Sequence, residues 1–234
     1  MNCYNCGVIL NRKNRSVEHI INASIGGFKK GYNLLCQTCN KEFGKTIDRE
    51  LVKQLGVFGR LLNIPLDRGT HSGSVSSDKV IVNSIDYQRA IAKICLNYYL
   101  SKGYPKQYCD RVRAFVKGES VAEDILHDYL PLNEEPSDNE VSHIVHLHGS
   151  KDTGVLYAYI ELFNMQNKII IFSMDYTGDD IDVTYCRDVV RNVELPRKMD
   201  FKLSRNDLEG LKDVVVSNFR YERLMKIIDP NIIL

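Results

Sequence analysis

Apolar positions recur in two rhythms along the 234-residue chain. Phe43, Ile47, Leu51 and Leu55 return every four residues, with Lys41, Glu42, Lys45 and Arg49 falling largely elsewhere, so a helix is predicted to run on from Cys39. Ile91, Ile94, Cys95 and Tyr98 predict a helix over Asp86–Leu100, and another is expected over Gln107–Val116. Strand-like runs follow at Val141–Leu147, Val155–Phe163, Lys168–Met174 and Asp182–Cys186. A last helix is predicted over Asn206–Ile228, opened by Ser204 as a cap and stopped before Pro230. Near the N-terminus, Ser16–Ile21 is rich in β-branched residues, Ala23–Gly27 ends in two glycines able to turn, and Gly31–Leu35 runs back. The order there is strand, loop, strand, helix.

Two polar stretches interrupt these patterns. Leu62–Lys79 is rich in turn residues and has no apolar face, and Asn133–Glu140 is a polar break. The expected architecture is α+β: an N-terminal domain over residues 1–60, a linker over 61–80, and a mixed α+β accessory domain over 81–234.

Composition narrows the class of protein. With 44% hydrophobic and 26% charged residues, the chain has the make-up of a folded domain. No run of about 18 apolar residues occurs, and the first residues lack a signal-peptide pattern, so a soluble cytoplasmic protein with no membrane partner is expected. The net charge of +1 hides an asymmetry: residues 1–60 hold ten Lys/Arg against four acids, leaving the remainder at −5. A basic first segment points to a polyanionic partner met by that segment alone.

The cysteines sharpen the picture. Cys3 and Cys6 form one Cys-x-x-Cys pair, Cys36 and Cys39 a second, with 29 residues between Cys6 and Cys36. That spacing suits a structural Cys₄ zinc site, closed and therefore not itself catalytic. Zinc would close the intervening loop and stabilise a segment too small to build its own core. Cys95, Cys109 and Cys186 stand alone in apolar or strand-like contexts and read as reduced packing residues.

Between the cysteine pairs and just after the second lie residues suited to phosphodiester hydrolysis, which needs a base to activate water and a cation to neutralise charge on the phosphate. His19 is the natural base near neutral pH, while the Glu18 carboxylate and the Asn40 amide oxygen are hard donors for magnesium or manganese. Adjacent strand side chains point to opposite faces, so Glu18 and His19 can share a site only at a twist or a strand-to-loop junction.

Cys3-x-x-Cys6, Glu18-His19-Ile20-Ile21, Ile25-Gly26-Gly27, Asn33-Leu34-Leu35-Cys36, Cys39-Asn40, Gly44 and Ile47-Asp48 together resemble the HNH endonuclease family in its zinc-stabilised form with a ββα-metal core. The resemblance covers about the first quarter of the chain. It implies that Glu18 is the acidic metal ligand, His19 the general base, Asn33 the residue that orders the loop and positions the base, and Asn40 a second ligand of the catalytic metal. It likewise makes the four cysteines the structural zinc ligands and DNA the substrate. Glu18 replaces the commoner Asp, and Asn22 stands where the family often has Pro. Arg12, Lys13, Arg15, Lys29, Lys30, Lys41 and Lys45 would then meet the nucleic acid, and otherwise form a solvated basic face.

Two further clusters read as structural. In a strand, His146 and His148 share a face opposite His143, with no carboxylate at a matching offset, so His143, His146 and His148 are expected to be plain strand residues. Asp175, Asp179, Asp180 and Asp182 lack the spacing of a calcium loop and read as a solvated hairpin. The competing functional reading is a zinc-supported nucleic-acid binding module without turnover. Residues 81–234, which carry no catalytic motif, are expected to meet a ligand or protein partner that gates the nuclease.

Overall fold

A computed structural model describes residues 1–67, 83–131, 136–137, 139–211 and 218–232. The chain is mixed α+β and divides into two compact units, Met1–Ala122 and Glu123–Leu234.

The first unit opens with a Cys3–Cys6 turn and an antiparallel pair, β1 (Arg15–His19) and β2 (Lys30–Cys36), followed by helix α1 (Gln37–Lys45). This is the expected ββα order. Asn33 interrupts β2 with φ of 58°, a left-handed conformation that Asn tolerates, and the register slips between Arg15↔Cys36 and Val17↔Tyr32. The loop between the strands is held by Asn22, whose side chain accepts from Ser24 N (2.9 Å) at the head of a short 3-10 turn. That capping role explains an Asn where a Pro was expected. Gly26 closes the turn at φ of 91°.

The apolar series Phe43, Ile47, Leu51, Leu55 spans two helices rather than one. Helix α1 stops at Lys45, Thr46 breaks from helical geometry (φ −113°, ψ −100°), and α2 (Ile47–Leu61) begins at once. Residues four apart drift by about 40° per step around a continuous helix. The break at Thr46 resets that drift, and Phe43, Ile47, Leu51 and Leu55 are all buried.

Helix α3 (Ile85–Ser101) is capped by Ser84, which accepts from Tyr87 N (3.3 Å), and α4 (Asp110–Lys117) follows a 3-10 turn at Lys106–Cys109. Ala90 to Tyr99 is buried without interruption, Lys93 and Asn97 included, so α3 is covered all round over that stretch. Helix α2, β2 and α4 cover it. The compact unit therefore runs to Ala122, whereas the sequence placed residues 81–122 with the accessory domain. Of the expected linker, residues 68–80 lie outside the described residues; Leu61 ends α2, and Leu62–Asp67 turns back on the unit.

The second unit is built on a six-stranded antiparallel sheet of β3 (Leu126–Asp128), β4 (Ser142–Ser150), β5 (Val155–Leu162), β6 (Gln166–Ser173), β7 (Ile181–Asp188) and β8 (Val193–Glu194), ordered β3-β6-β5-β4-β7-β8. Ile144, Tyr157, Tyr159, Ile169, Ile171 and Cys186 pack from one face against Met199, Leu203 and Leu208. The C-terminal helix appears as α5 (Arg205–Glu209), with Ser204 and Asp207 forming a capping box, and α6 (Asn218–Ile228); residues 212–217 between them lie outside the described ones.

Glu161 is buried at the centre of a polar cluster. It accepts from Arg220 Nη1 (2.8 Å), Asn164 Nδ2 (2.6 Å), Asn167 Nδ2 (2.6 Å) and the Tyr159 hydroxyl, so its charge is paired and hydrogen-bonded. The histidines of β4 divide as the strand period requires. His143 Nδ1 accepts from Phe163 N (3.1 Å), whereas the His146 and His148 rings stack at 6.4 Å on the other side. Asp175 meets Arg205 (2.9 Å) and Asp180 accepts from Lys151 N (3.2 Å), and the acids around this hairpin form no ligand cluster among the described residues.

Two outcomes follow. A Cβ at Gly27 would lie 1.7 Å from the Ile21 carbonyl oxygen, so Gly27→Ala should lower unfolding free energy by roughly 2 kcal/mol or more, read from urea denaturation. Burial drives the His146 pKa from 6.5 down to about 4, with His148 and Lys202 adding to the effect and Asp182 opposing it. The unfolded state therefore binds the extra proton first. Stability associated with neutral His146 is complete above pH 6.5 and falls as pH drops toward 4, by on the order of 3 kcal/mol. His146→Gln should flatten that part of a stability-against-pH profile.

Candidate functional site

The cysteines converge from two turns. Cys3 and Cys6 flank a tight turn in which Gly7 (φ 78°) donates to Cys3 O (2.9 Å). Cys36 ends β2 and caps α1, its Sγ accepting from Cys39 N (3.5 Å). All four Sγ atoms lie within 4.8 Å of one another, and those of Cys6 and Cys36 are 3.8 Å apart. A tetrahedron with Zn–S near 2.3 Å has edges of about 3.8 Å, so this all-thiol set can hold a zinc ion. Burial opposes ionisation of Cys3, but backbone N–H groups of Cys6, Cys36 and Asn5 outweigh it and bring its pKa down to about 7.

A cavity of about 220 Å³ lies over the end of β1 and the inner faces of α1, α2 and α3. Its lining includes Glu18, His19, Asn40, Asp48 and Lys93. Glu18 and His19 are the last two residues of β1, opposite Gly31 and Lys30, and this junction with the loop lets both adjacent side chains reach one cavity. Asn40 enters from the first turns of α1. Asn33 is not among the lining residues; its Oδ1 accepts from Arg15 Nη1 (3.4 Å), so it shapes β2.

Three residues that the motif reading did not assign complete the arrangement. Lys93, on α3 and 3% exposed, donates to Glu18 Oε1 (2.5 Å) and to both Asp48 oxygens (3.0 and 2.9 Å). Burial raises the Glu18 pKa and Lys93 opposes the rise; burial works against the Lys93 ammonium, but Asp48 and Glu18 outweigh it and hold its pKa above the ordinary value. Asp67 meets His19 Nε2 (3.0 Å) and Lys30 Nζ (2.8 Å), and these two partners keep its carboxyl below the usual range. One signal was visible beforehand: a lone lysine in the apolar run Ala90–Tyr99 is seldom buried without a partner. Asp67, beside the polar stretch, gave none.

The site's remaining donors fit a hard cation. The second Glu18 oxygen has no hydrogen-bond partner among the described residues, nor does the Asn40 amide, and Glu18, Asp48 and Lys93 together leave one negative charge beside the cavity. Of the basic residues, Arg12, Lys13, Arg15, Lys41 and Lys45 are exposed and Lys29 and Lys30 half-buried.

Residues 3–56 match the model of the HNH endonuclease family. The first unit therefore carries an HNH-type domain, whose family points to nuclease-type function on nucleic acid. No curated protein and no solved structure matches the chain. Among the described residues no helix is long and apolar enough to cross a membrane.

The purified protein should contain one zinc per chain by atomic absorption. Cys39→Ser should lose it and melt at a lower temperature, and a strong chelator should reproduce the loss in the wild type.

Proposed function

We propose that the protein is a metal-dependent endonuclease that hydrolyses DNA phosphodiester bonds. The observation that carries this reading is the meeting of Glu18, His19 and Asn40 around one cavity, on the strand end and helix start fastened by the four cysteines. The Asp67 carboxylate at Nε2 favours the His19 tautomer protonated there. That leaves Nδ1 as the nitrogen able to take a proton from water, and gives the resulting imidazolium a charged partner. Magnesium or manganese bound by Glu18 and Asn40 would supply charge neutralisation for the phosphate and the departing oxygen. Arg12, Lys13, Arg15, Lys29, Lys41 and Lys45 supply phosphate contacts, with Lys30 nearer the site.

The second unit, in which no metal-binding cluster occurs among the described residues, is assigned a gating or targeting role toward a ligand or protein partner. A second reading is a zinc-supported nucleic-acid binding module without turnover, favoured by the fact that Lys93 already neutralises part of the carboxylate charge.

The two readings separate in one assay. Plasmid, linear and single-stranded DNA are incubated with Mg²⁺, Mn²⁺ or chelator. The nuclease reading expects divalent-dependent cutting that falls by about 10² or more in His19→Ala while salt-sensitive binding persists, and a smaller fall in Asp67→Asn. Wild-type protein that binds DNA yet cuts none of the three would establish the binding module instead.

A further inference from the structure

We infer that Lys93 is a positioning residue of the reactive centre, holding the Glu18 carboxylate so that one of its oxygens stays available to a divalent cation; the inference rests on the nuclease reading above. Lys93 lies on α3, well beyond the segment 3–56 that matches the HNH family. Its ammonium bridges three elements: it sits on α3, donates to Glu18 on β1 and grips Asp48 on α2. The ring of Phe43 on α1 lies 5.7 Å from Nζ.

The distribution of contacts is unequal. Both Asp48 oxygens are taken by Lys93, whereas Glu18 gives only Oε1. Asp48 therefore anchors the lysine, and the lysine fixes Glu18 while leaving Oε2 uncommitted. At 6% exposure Glu18 has little room to be steered by solvent, so this ammonium contact sets its orientation.

Charge alone predicts the opposite effect. A fixed positive group beside a cation site repels the incoming ion, so removing it should tighten metal binding. If orientation of Glu18 is what Lys93 contributes, removing it should weaken binding. The sign of the change decides between the two.

The test uses the full-length, zinc-loaded protein and the electron paramagnetic resonance signal of free Mn²⁺, at a temperature where circular dichroism shows each variant folded. Lys93→Met is expected to lose about tenfold or more in Mn²⁺ affinity, the size of effect typical of residues that orient a metal ligand. If Lys93→Met does not fold, Lys93→Met combined with Asp48→Asn removes one charge of each sign and carries the same expectation. Mn²⁺ affinity in either lysine variant equal to or tighter than wild type overturns the inference while leaving the nuclease reading standing. Wild-type protein that neither binds Mn²⁺ nor cuts DNA overturns the nuclease reading and this inference with it.

Discussion

A buried carboxylate must be paired, and the first unit is arranged around that demand. Glu18 sits at the end of β1 with 6% of its surface exposed, and Asp48 on α2 is almost as deep. Two such groups without a cation would repel each other and favour protonation. Lys93 resolves the conflict by bonding to both, which requires α3 to lie across the strand end and α2. The helix has its own reason to be there, since its many buried apolar residues need cover from α2, β2 and α4. Packing and charge pairing thus favour the same placement.

The cysteines solve a different problem. Two strands of five and seven residues and one nine-residue helix have little apolar surface of their own near the N-terminus. A metal held by Cys3, Cys6, Cys36 and Cys39 would tie the first turn to the β2–α1 junction, whose Cys39 stands immediately before Asn40. The stack from Tyr4 to Phe43, whose ring also faces Lys93, joins this fastening to the ion cluster through side chains. Under the proposed nuclease reading, structural and reactive functions would be kept on different residues within a short span.

The second unit handles buried polarity in another way. Glu161, Arg220, Asn164, Asn167 and Tyr159 hydrogen-bond to one another beside an antiparallel sheet, where an isolated charge would be strongly unfavourable. Among the β4 histidines, burial is the largest influence on His146 and His148 and pushes both below the ordinary imidazole range. Their clustering in sequence reflects the two-residue period of a strand with both faces covered.

Local chemistry was legible in the residues alone. The ββα order, the four clustered cysteines, the Ser204 cap and four central strands of the second unit follow from spacing, periodicity and propensity, which act over a few residues. The pairing of Glu18 with His19 on one cavity required the strand to end there, and only the fold shows that it does. Asp67 and Lys93 lie 48 and 75 residues from the groups they touch on β1, and Asp48 lies 45 residues from Lys93; no local pattern carries a contact across such distances. The unit boundary at Ala122 was likewise beyond the sequence. A polar stretch looks the same whether the chain beyond it leaves or folds back, and the covering of α3 by α2 and β2 decided that it folds back.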